Sequence, residues 1–305
     1  MSMWANRGVG LTTLTTTAAA DPDLFDARLQ TLCAHPRFDE AMRHSVRSAL
    51  AYFQINPLLH RNVKDVGRLI LGVVALYLDA TGGLTHRRLR TLSGQTGVIS
   101  AGTATAVLFR MRAIGYVVRD EGGVGGVARR YRPTPEMIET FHDRMKIELD
   151  AAAMLMPQMA PITARLGEPQ VFAAVFTALG RESIVAASQP RAELDVLNRL
   201  AVRSAGMLVL YDLIAAADDG VNPFGGPCEV EISVSALARK YEISRSHVLS
   251  LLRDLEAADF VCRAGRDGRW ALRPALSESL RKFFGVIYLG MAFVAAQAAE
   301  ALGEA

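Results

Sequence analysis

Residues Ile232–Pro274 read ISVSALARKYEISRSHVLSLLRDLEAADFVCRAGRDGRWALRP, and this stretch decides the fold. SALARKY is a short helix-forming run, EIS is a turn, and Ser244 stands where an N-cap hydroxyl can accept from an amide of the following turn. Val248, Leu251, Leu252 and Leu255 then recur at helical spacing and define one apolar face. FVCRAGRDGRWALRP follows, with apolar Phe260, Val261, Trp270 and Leu272, glycines at the tip, and Arg263, Arg266 and Arg269 projecting, as in a short hairpin. Upstream, CEVEIS (228–233) alternates as a short strand does. Before it, the loop VNPFGGP ends one long helical pattern running through Leu194, Leu197, Leu200, Ala201, Leu208 and Leu213.

The chain carries this pattern twice. ISAGTATAVLFRMRAIGYVVRDEGG (Ile99–Gly123) matches ISRSHVLSLLRDLEAADFVCRAGRDG (Ile243–Gly268), Ser100 falling on Ser244 and Tyr116 on Phe260 at the same separation, so the helix needs no gap. Ala104, Val107, Leu108 and Met111 then coincide with Val248, Leu251, Leu252 and Leu255, which repeats the core face. LILGVVALYLDATGG (Leu69–Gly83) parallels the helix that ends at AADDG, and THRRLRTLSGQTG supplies the earlier helix of the pair. Both copies run on through arginines to an Arg-Pro step, Arg132-Pro133 and Arg273-Pro274, and then to another long helix. The expected division is a flexible arm over 1–23, a first module over 24–158 and a second over 170–305, joined near 157–169.

Composition narrows the function. Of the 305 residues, 50% are hydrophobic and 21% charged, a globular balance, and a net charge of +3 with 34 Lys plus Arg places basicity in local patches. Cys33, Cys228 and Cys262 are odd in number and form no CxxC pair, which suits reduced thiols in a cytoplasmic protein. MSMWANRGVGLTTLTTTAAADPD has no basic region leading into an apolar stretch, so no secretory signal is expected. Phe283–Ala299 carries no charge, but Gln297 and the alanine-rich tail favour a buried core helix over a membrane span. The six histidines form no HExxH or close ligand pair, and no nucleophile has a recognisable catalytic setting. The expectation is a protein with no enzymatic activity, metal or cofactor. GGVGG lies between basic hairpin arms rather than at a strand-to-helix junction, which makes it a hairpin tip and not a nucleotide loop.

The order of long helix, short strand, two helices across a tight turn, basic hairpin and long helix resembles the winged helix-turn-helix domain of MarR-type transcriptional regulators, over roughly Arg61–Leu155 and Ala192–Leu302. The resemblance implies a mainly α fold with small β-hairpin wings. It also implies a dimer built by long terminal helices, with the second helix of each pair in the major groove of double-stranded DNA and the wing on the backbone or minor groove. Two modules on one chain depart from the family pattern. They imply tandem domains forming a pseudo-symmetric fused dimer, functional as a monomer and open to further oligomerisation.

On that reading Ser244, Arg245, Ser246, His247, Ser250 and Arg253 stand outside the core near the start of the second helix, all able to donate hydrogen bonds. Arginine bridges guanine O6 and N7, while serine and histidine reach base edges or phosphates. Arg263, Arg266 and Arg269 become the wing. In the first module Ala101, Gly102, Thr103, Ala106 and Phe109 replace most of those donors, leaving Ser100 and Thr103. Its charge lies at Arg87 and Arg88, beside His86 and Arg90, and at Arg119, Arg129 and Arg130, positions suited to phosphate. The function expected is sequence-specific regulation of transcription, the second module reading bases and the first mainly holding phosphate. Phe109, either covered by the fused partner or in contact with another molecule, keeps a protein-interaction module as an alternative, and a DNA-binding architectural or replication factor is another. Met145, Met154, Met156 and Met159 fit either core packing or a pocket for an apolar small-molecule effector.

Overall fold

A computed structural model describes residues 22–56, 65–96, 101–120, 129–188, 194–217, 228–265 and 269–304. They build a mainly helical fold with two small antiparallel sheets, divided into two compact units. The residues up to Arg37, from Leu69 to Pro190 and from Val286 onward form the first unit, and those from Phe38 to Arg68 and from Arg191 to Gly285 form the second. Each unit therefore draws on both halves of the chain.

Helix α1 (Pro22–Cys33) belongs to the first unit and α2 (Phe38–Ile55) to the second. The first unit continues with α3 (Val66–Ala80), β1 (Leu84–Thr85), α4 (His86–Thr96), α5 (Ala101–Ala113), β2 (Val117–Arg119), β3 (Arg130–Pro133), α6 (Pro135–Leu155), α7 (Ala160–Ala164) and α8 (Pro169–Ser188). Strand β3 is central, with Tyr131 opposite both Leu84 and Arg119, and its buried ring faces the core. Thr134 caps α6, accepting from the Met137 amide ahead of a proline at the first helical position. In α5 the buried stripe is Ala104, Leu108 and Met111, while Val107, expected in the core, is only half-buried. The stripe follows the i, i+4, i+7 line alone.

The second unit contains α9 (Asp195–Ala201), α10 (Gly206–Ala217), β4 (Cys228–Glu231), α11 (Val234–Lys240), α12 (Arg245–Ala257), β5 (Val261–Arg263), β6 (Arg269–Leu272) and the start of α13 (Pro274–Ala301). Strand β6 lies between β4 and β5, with Trp270 opposite Val230 and Arg263. Val248, Leu251, Leu252 and Leu255 of α12 are completely buried, as their spacing predicts. Helix α2 packs on α10, and Phe53 meets the ring of Tyr241 at 5.8 Å between centroids. The buried Tyr241 hydroxyl donates to Asp212 at 2.7 Å, and Lys240 pairs with the other Asp212 oxygen at 2.6 Å. Burial, followed by the neighbouring Asp212 charge, pushes that phenol far above its ordinary range.

The same order of elements thus occurs in both units, and the same devices join them. After α5 the Tyr116 amide reaches back to the Met111 carbonyl at 2.8 Å, and after α12 Phe260 reaches Leu255 at 2.9 Å. Gly115 (φ 80°) and Asp259 (φ 56°) supply the left-handed step each closure requires. The returning arm is tied by Thr134 N–H to Tyr116 C=O in one unit and by Arg273 N–H to Phe260 C=O in the other, each at 2.9 Å.

The long helix expected from Leu194 to Leu213 is instead two helices, α9 and α10, meeting at 110°. The apolar spacing is real, but Ala205 takes a left-handed φ of 58°, and at Gly206 a Cβ would collide with the Leu200 carbonyl oxygen. Among the described residues α13 alone is long and apolar enough as a single helix to cross a membrane, and 72% of its most apolar window is buried within the protein. That burial is what a core helix shows.

Candidate nucleic-acid interface

With its apolar face turned inward, α12 leaves Arg245, Ser246 and Arg253 exposed. Ser244 is its N-cap as the sequence predicts, accepting from the His247 amide at 3.1 Å, and its hydroxyl lies 2.9 Å from that of Ser246. His247 and Ser250 are half-buried and already engaged. Nε2 of His247 donates to the Ser204 carbonyl at 2.9 Å, and the Ser250 hydroxyl accepts from Arg203 at 3.0 Å. Arg203 also pairs with Asp254. The elbow between α9 and α10 thereby fixes how α12 is rotated about its axis.

At the N-terminal end of α12, Ser235, Ala238, Arg239, Ile243 and Arg245 line an open groove of about 440 Å³. Arg239, Arg245 and Arg253 are exposed and make no side-chain hydrogen bond or ion pair among the described residues. Arg239 went unrecognised in the sequence; the signal was its place one turn after Ser235, in the last turn of the first helix of the pair. Arg263 is exposed with its guanidinium 5.4 Å from the Trp270 ring centroid, and Arg269 is exposed on β6. Arg273 is held by Asp259 at 3.2 Å, and Arg266 lies outside the described residues. Asp254 and Glu256 occupy the far end of α12, so positive charge gathers at its start and on the hairpin.

No protein-family model, curated protein or solved structure matches this chain. The chemistry of the groove is that of its side chains: planar, permanently charged forks that pair with carboxylate, phosphate or the guanine edge.

The first unit is built differently. His86 on α4 and Thr105 on α5 are joined at 2.9 Å, with Arg87 and Arg90 exposed beside a shallow depression of about 270 Å³. Arg88 turns back onto the end of α3, donating to the carbonyls of Gly83 (2.8 Å), Thr81 (3.2 Å) and Leu78 (3.4 Å). Arg130 donates to Gly82 at 2.6 Å. Both guanidiniums, expected on phosphate, are instead engaged by carbonyls of the turn that follows α3, and Arg88 shares the Leu78 carbonyl with the Gly83 amide. Arg119 and Arg129 are exposed without such engagements among the described residues, Thr103 is exposed on α5, and Ser100 lies outside the described residues. Phe109 is 60% exposed.

Met145, Met156 and Met159 are buried in the first unit and Met154 is half-buried. Among the described residues no three His, Cys, Asp or Glu side chains gather as metal ligands. Burial pushes the Cys228 thiol upward and disfavours its thiolate.

Proposed function

We propose that this protein is a cytoplasmic, non-catalytic regulator of transcription that binds double-stranded DNA through two winged helix-turn-helix modules fused on one chain. The observation that carries the proposal is the pair of exposed, unengaged guanidiniums of Arg239 and Arg245 lining the groove at the start of α12, with Arg253 exposed further along the helix and Arg263 and Arg269 on the adjoining hairpin. The shared order of elements and the matched closures after α5 and α12 favour two copies of one module. The units' use of both chain halves suits a fused dimer whose terminal helices are exchanged.

In this reading Arg245, Ser246 and Arg253 meet base edges, and Arg239, Arg263 and Arg269 hold phosphate. His247 and Ser250 set the rotation of α12 instead of reading bases themselves. Arg87, Arg90 and Arg129 add phosphate contacts from the first unit, which position without specifying sequence.

Binding to a randomised duplex library at several salt concentrations tests this. Arg245→Ala should relax preference at particular base pairs, costing about 1–3 kcal/mol there. Arg129→Ala should weaken all sequences alike and lower the salt slope by about one. Unchanged base preference in Arg245→Ala would remove the reading head from the second unit.

A further inference from the structure

Beside the first unit's hairpin lies a surface of another kind. Phe109 is 60% and Val118 50% exposed, and both border an open groove of about 440 Å³ with Arg112, Ala113, Val117 and Arg119. Phe109 and Ala113 stand one turn apart on α5, and β2 begins just after that helix ends. Leaving a phenylalanine in water forgoes the free energy its burial would release. The rim is cationic: Arg112 is exposed with its guanidinium 5.6 Å from the Tyr131 ring centroid, Arg119 is exposed, and among the described residues no carboxylate lines the groove. At the matching positions the second unit carries Arg253 for Phe109 and half-buried Cys262 for Val118. The apolar floor therefore belongs to the first unit alone.

We propose that this groove docks an acidic protein segment, one apolar side chain seating between Phe109 and Val118 while flanking carboxylates pair with Arg112 and Arg119. Charge complementarity selects the occupant. A second copy meeting the patch through the same face would set Arg112 and Arg119 against their own kind. A nucleic acid satisfies the arginines but not the floor, where Ala113, Val117 and Val118 offer methyl surfaces to an aliphatic side chain and only one aromatic face to a base. The proposal goes beyond DNA binding and holds whichever sequence the second unit reads.

The test is a random peptide library of about a dozen residues, panned on the full chain and counter-selected on Phe109→Ala. Selected peptides should be rich in Asp and Glu around an apolar residue, and should bind Phe109→Ala at least about tenfold more weakly. Arg112→Glu should weaken the same peptides and recover binding when their carboxylates are replaced by lysines. Melting temperature should not change in either variant, since both side chains are exposed, and duplex DNA affinity should not change in Phe109→Ala, which removes no charge. The proposal is overturned if the peptides do not discriminate Phe109→Ala, if they are basic, or if none is selected. It is equally overturned if Phe109→Ala lowers affinity for duplex DNA or an oligothymidylate, or abolishes self-association. A failed selection with duplex binding intact leaves the DNA reading standing.

Discussion

Asp259 and Gly115 hold the same left-handed position in their respective units, yet only glycine reaches it without steric cost. Asp259 gains an exposed ion pair with Arg273, which contributes little in water. Asp259→Gly should therefore stabilise the protein by about 0.5–1 kcal/mol, read from the urea midpoint. Glu182 offers a second test: burial raises its carboxyl above the ordinary range, against a smaller opposing effect of the Gln297 amide at 3.1 Å. The fold thus favours the neutral acid, a contribution fully present below the unfolded carboxyl's pKa and lost as pH rises through the higher folded value. Glu182→Gln should accordingly stabilise the protein at neutral pH and confer little at about pH 4, measured by denaturation at both. At this scale the sequence discloses Ser244 as a cap and Arg245 as outward-facing, since both follow from helix geometry. It could not disclose that Arg88 and Arg130 close the Thr81–Gly83 turn, because a charged residue's sequence position does not name its carbonyl partner.

Among the elements, the α9–α10 elbow ties backbone geometry to the proposed reading helix, through Ser204 to His247 and through Arg203 to Ser250 and Asp254. Gly206→Ala would force a methyl group against the Leu200 carbonyl, and a loss of about 1–3 kcal/mol is expected from thermal or urea unfolding. Duplex affinity should fall with it, because α12 loses its fixed rotation. The helix pair, the strand before it and the hairpin after it were all legible in the Cys228–Pro274 stretch, where period, cap and turn residues agree. The elbow was not. Hydrophobic spacing reports which side chains face inward, and Leu194, Leu197, Leu200, Ala201 and Leu213 are indeed buried while Leu208 is half-buried, but it does not report whether the helix axis runs straight.

For the whole molecule, the decisive feature is that α13 leaves the second unit at Gly285 and continues in the first from Val286. Deleting 286–305, which carries the Gln297 partner of Glu182, should strip hydrogen-exchange protection from α8 while sparing α10 and α12, measured by mass spectrometry of the intact and shortened chains. A further consequence concerns biosynthesis. The ribosome makes α8 long before the segment that completes its unit, a delay on the order of ten seconds. Through that interval α8 waits without the segment that carries Gln297, the partner of its half-buried Glu182, so the nascent chain is a natural client for a holding chaperone until residues 286–305 have emerged.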